Sequence, residues 1–107
     1  MERTMATRRE KLEAMLVDAP DDTFLHYALA MDDAGTGQVV PAIDRLRGIV
    51  ARDPGYVPTY FQLGKLLLDS GDEAAGKLVL ESGIGVAEAA GDDHAADELR
   101  GLLSLTE

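Results

Sequence analysis

With 107 residues, 46% hydrophobic and 28% charged, the chain has the length of one domain and the balance of a globular protein, not a disordered one. Its 20 acidic residues outnumber the 10 Lys and Arg and leave a net charge of −10. That argues against nucleic acid and against anionic membranes, which both select clustered cations. Cysteine is absent, which excludes disulfides, thiol catalysis and Cys-ligated metals, and no apolar run reaches the roughly 18 residues of a membrane-spanning helix.

Taken in chain order, breaker residues divide the sequence into six predicted helices. The first runs from Thr4 to Val17, with Leu12, Met15 and Leu16 as its apolar stripe, and stops at Asp18-Ala19-Pro20. Asp21 and Asp22 then offer acceptors to cap a second helix over Thr23–Ala34, which Gly35-Thr36-Gly37 ends. The third spans Val39–Ala51 with Pro41 in its first turn, where the missing N–H has no helical partner to lose. After Arg52-Asp53-Pro54-Gly55 the fourth runs over Val57–Asp69, and Ser70-Gly71-Asp72 turns the chain. The fifth covers Glu73–Ala89 and the sixth Asp93–Leu105, with Asp92 or Asp93 as its cap. No segment has the alternating β-branched pattern of a strand, so the fold class is all-α, and the short connections imply antiparallel neighbours. The charged N-terminus lacks the apolar stretch of a signal peptide, and a cytoplasmic location is the expectation.

A period of 34 residues runs through these helices. It relates Pro20 to Pro54, Gly37 to Gly71, Leu29 to Leu63, and Leu12 to Leu46 and Leu80. His26/Tyr60, Tyr27/Phe61, Ala30/Gly64 and Ala42/Gly76 share the offset and match in size or character. One copy reads Tyr60-x2-Leu63-Gly64-x2-Leu67 and then Gly76-x3-Leu80; the other reads His26-x2-Leu29-Ala30-x2-Asp33, then Ala42-x3-Leu46, then Asp53-Pro54. In these residues the chain resembles the tetratricopeptide repeat family, whose unit is a helix–turn–helix of this length.

The resemblance implies a right-handed superhelical stack of antiparallel helix pairs. Its organisation would be a leading half-repeat helix at 4–20, repeats at 23–56 and 57–90, and a C-terminal capping helix at 92–105. The apolar residues of that last helix, Leu99, Leu102 and Leu103, fall out of register unless the frame shifts by about two residues. Asp33 is too polar for a packed inner position, which predicts loose packing of the first pair there. Gly76 and Gly83 stand in helix interiors, where each costs about 1 kcal/mol relative to Ala. They would also let backbones approach closely.

The chemistry-bearing residues do not form a catalytic constellation. His26 sits where the repeat wants a bulky packing group, and His94 belongs to a solvated helix start. Asp69-Ser70-Gly71-Asp72-Glu73 lacks the alternating ligands of a calcium loop, and neither Gly35-Thr36-Gly37 nor Gly83-Ile84-Gly85 is followed by the Lys of a phosphate loop. No enzyme and no cofactor or metal is expected.

The resemblance instead implies protein–protein interaction, in a concave groove lined by the first helix of each pair. Carried onto this sequence, the groove comprises Phe24, Tyr27, Met31 and Ala34 from one repeat and Phe61, Lys65, Leu68 and Asp69 from the next. The alternative role for these side chains is to cover neighbouring helices. The occupant expected is a protein or peptide, basic or amphipathic, since aromatics and Met suit interface cores and the acidic rim would steer a cation. Homo-oligomerisation is the competing reading. The fifth helix is apolar on more than one side, and Leu78, Val79 and Val86 would carry self-association unless the last helix covers them. The acidity itself suits either a high-salt setting or an ordinary acidic surface.

Overall fold

Clusters of Gly, Pro and Asp punctuate the chain, and each one ends a helix. The computed structural model describes residues 6–107, and those residues form six helices and no strand. They are α1 (Arg8–Asp18), α2 (Thr23–Gly35), α3 (Val39–Arg52), α4 (Pro58–Asp69), α5 (Glu73–Ala89) and α6 (Asp93–Ser104). The expected start of the first helix at Thr4 lies outside the described residues.

The helix ends follow from local chemistry. Thr7 and Glu10 form a reciprocal capping box, each side chain accepting the other's backbone N–H. Asp22, Asp72 and Asp92 accept from the N–H groups of Leu25, Ala75 and Ala95, which fixes the starts of α2, α5 and α6. At the other ends Gly37, Gly71 and Gly91 take φ of 79°, 88° and 73°. In that conformation the next residue's N–H can reach back to Asp33, Leu67 and Ala87, and the three turns close alike.

Consecutive helices pack on each other, and α4 also touches α6, giving a rod of 57 × 28 × 21 Å. The interior is a string of three clusters. Leu12, Leu25, Ala28 and Leu29 join α1 to α2. Ala30, Leu46, Ile49, Leu63 and Leu67 join α2, α3 and α4. Tyr60, Leu80, Ala87, Ala96 and Leu99 join α4, α5 and α6. The buried leucines Leu12, Leu46 and Leu80 keep the 34-residue spacing, and full burial of one such side chain stabilises by about 1.5–3 kcal/mol. In α6 the buried Ala96 and Leu99 come 36 residues after Tyr60 and Leu63. The cause is visible in α5, which has 17 residues against 14 in α3 and closes on Gly91 instead of an Asp-Pro turn.

Three helix-interior glycines, Gly64, Gly76 and Gly83, sit at close approaches. A Cβ at Gly64 would lie 2.5 Å from Leu80 Cδ2, at Gly76 2.7 Å from Leu68 Cδ2, and at Gly83 2.5 Å from Tyr60 Cβ. The cost of Gly in these helices is therefore offset by interhelical contact that Ala would block.

Asp33 corrects an expectation. It is not a loosely packed site: the residue is 3% exposed and bridged by arginines from both neighbouring helices. Arg9 Nη1 on α1 donates to Asp33 Oδ1 at 2.6 Å and to Asp32 Oδ2 at 3.1 Å, and Arg45 Nε on α3 approaches Asp33 Oδ2 at 3.5 Å. A buried carboxylate is tolerated because its charge is compensated and its oxygens are hydrogen-bonded.

Candidate partner-binding groove

The first helix of each pair, α2 and α4, and the terminal helix α6 share one side of the stack, and a cleft of about 310 Å³ opens between them. Tyr27 on α2 and Phe61 on α4, one period apart, stand in the same cleft with Val57, Pro58 and Gln62. Its remaining wall is α6, with Asp92, His94, Ala95 and Glu98 above Leu99. Tyr27 is half-buried, its ring tilted at 58° against Tyr56 with centroids 5.6 Å apart. Burial pushes its phenol above the ordinary value, partly opposed by the neighbouring Gln62 side chain.

Electrostatically the cleft is one-sided. It contains two carboxylates, the imidazole of His94 and no Lys or Arg. One oxygen of Asp92 is occupied in capping α6, and Glu98 Oε1 lies 3.6 Å from His94 Nε2 with both side chains largely exposed. Among the described residues, neither carboxylate is paired with a Lys or Arg; Arg100 engages Glu88 and Asp97 instead.

The other expected groove residues scatter. Phe24 is 58% exposed and Met31 half-buried, and neither lines this cleft. Lys65 is exposed and paired with Asp69 at 3.0 Å. Leu68 turns to a second hollow, which it shares with Asp69, Glu73, Leu102 and Leu105. On α5, Leu78 is 68% exposed, whereas Val79 packs on two core clusters and Val86 lines a hollow with Pro54, Gly55, Ala89 and Ala90. Sequence reasoning missed the whole α6 wall. The 34-residue step gives no reliable signal for it, because α6 follows at an offset of 36 residues.

His26 and Tyr60 share a contact that the period predicts only in outline. His26 Nε2 lies 2.8 Å from the Pro20 carbonyl oxygen, and the Tyr60 hydroxyl donates to that of Pro54. A carbonyl only accepts, so Nε2 of His26 carries the proton.

No family model matches this sequence, and no match is found among curated proteins. Solved structures do match. A protein of Bordetella parapertussis, determined in solution, is 33% identical with a TM-score of 0.82, covering 95% of this chain and 89% of that one. A tetratricopeptide repeat domain protein from Salinibacter ruber, solved by NMR, is 31% identical with a TM-score of 0.79, covering 82% and 89% of the two chains. A crystal structure of a tetratricopeptide repeat domain protein from the same organism is 29% identical, with a TM-score of 0.77 and coverage of 80% and 96%.

Proposed function

Because the chain belongs to the tetratricopeptide repeat family, a fold that typically mediates protein interactions and is typically non-enzymatic, we propose that it holds a peptide or helix of a partner protein in the groove between α2, α4 and α6. The observation that carries this reading is the meeting of Tyr27 and Phe61, from successive repeats, with an acidic wall in one cleft. Aromatic side chains supply area at low entropic cost, and the carboxylates favour encounter with a basic or amphipathic segment. On this reading the chain divides into a leading half-repeat at 4–20, repeats at 23–56 and 57–90, and a cap at 92–105. The module would act in the cytoplasm as a scaffold or adaptor.

The test is capture of the partner by the wild type and by the double variant Tyr27→Ala/Phe61→Ala, each checked for retained helicity. Loss of the captured protein in the folded variant supports the groove; equal capture rejects it. Self-association is the second reading, favoured by the exposed Leu78 and the hollow around Val86. A sedimentation coefficient that stays constant over a hundredfold range of concentration would remove it.

A further inference from the structure

We propose that the cleft between α2, α4 and α6 is an anchor pocket for one arginine side chain of the bound segment. This rests on the groove reading and adds the chemistry of its contact. At about 310 Å³ the cleft suits one long side chain projecting from a peptide or helix laid along the groove. Its lining is largely apolar and aromatic, with Val57, Pro58 and Phe61 joined by Tyr27 from α2. Such a lining suits the methylene stem of a long basic residue, which buries its carbons while its charge stays near water. The wall carries Asp92 and Glu98 without a Lys or Arg partner among the described residues, so a cation entering there meets negative charge.

Arginine fits better than lysine for two physical reasons. A planar, weakly hydrated guanidinium stacks on an aromatic face, which Tyr27 and Phe61 offer. Its fork of donors can also engage one carboxylate with two hydrogen bonds, whereas an ammonium remains a strongly hydrated point charge. Asp92 keeps one carboxylate oxygen outside its capping bond, and Glu98 is held only by the imidazole beside it. Lys65–Asp69 and Arg100–Glu88 pair their carboxylates elsewhere on the surface, and what distinguishes Asp92 and Glu98 is that they stand beside the aromatic lining of this cleft.

The experiment uses the full chain and two synthetic amphipathic helical peptides of Leu, Ala and Gln, identical except for a central arginine or citrulline. Citrulline keeps the shape and removes the charge. Backbone amide shifts are followed at low and at molar salt. The expected result is movement of Tyr27, Phe61 and Glu98, with the arginine peptide bound about five- to tenfold more tightly at low salt. That advantage should shrink in molar salt and disappear in Glu98→Gln. Equal affinities with both peptides shifting Tyr27 and Phe61 would overturn the arginine anchor and leave the groove standing. Shifts confined to other surfaces would overturn both.

Discussion

Gly83 is placed where the α5 backbone meets the Cβ of Tyr60, an atom fixed to the main chain of α4. Ala there must push helices apart, and Gly83→Ala should cost about 1–3 kcal/mol, read from the denaturant midpoint. Gly85, two residues on, has open space around its Cβ direction, and Gly85→Ala should instead stabilise by up to about 1 kcal/mol. Opposite signs at two neighbouring glycines would separate contact from propensity. Thr59 offers a second residue-scale test. Its side chain is fully buried and its hydroxyl has no partner among the described residues, so Thr59→Val should raise stability by about 1 kcal/mol. Tyr60 brings a pH dependence. Burial, then the nearby Asp53, raise its phenol above the ordinary value of 10.0. A raised native value means the folded state holds the proton longer, so the associated stability is complete below about pH 10 and falls as pH rises through the native value. Thermal melts should show that loss in the wild type, with a shallower alkaline slope in Tyr60→Phe despite its lost bond to Pro54.

At the scale of elements, α1 is held by one buried leucine and by the Arg9 bridge to Asp32 and Asp33. Arg9→Ala leaves Asp33 with only its long contact to Arg45 and should destabilise by about 1–3 kcal/mol. Adding Asp33→Leu, which supplies the residue type found one period later at Leu67, should recover much of that loss in a melting experiment. The helices themselves were legible in the sequence. The span Glu73–Ala89 follows from an Asp cap and a glycine stop, both of which act within a few residues. The Asp33 site was not, because its arginines lie 24 residues before and 12 residues after it and no local pattern joins them. The same holds for the groove. Tyr27 and Phe61 could be placed by the repeat, whereas the α6 wall depended on a register that the longer α5 displaces. Val79 read as a surface residue because helix periodicity alone does not tell which of two apolar faces a later helix covers.

Across the whole molecule, stability is distributed along a line. Each cluster contacts only its neighbours, so opening is expected to begin at an end, as in other stacked repeats. Amides of α1, which buries only Leu12, should exchange with solvent faster than those of α4, which buries Tyr60, Leu63 and Leu67 between two clusters. Equal protection across the chain would contradict this order. Removal of residues 92–107 would expose the surfaces that Ala96 and Leu99 cover, and should lower the melting temperature. The cleft spans this line instead of lying within one segment of it. Tyr27 packs on the central cluster, while Phe61 and Leu99 belong with the C-terminal one. A segment seated across all three residues would act as an external brace, and its grip would be linked to the fraying of the α6 end. Saturation with ligand should therefore slow amide exchange in α6 more than in α1, making the remote end of the rod an internal control for where the occupant sits.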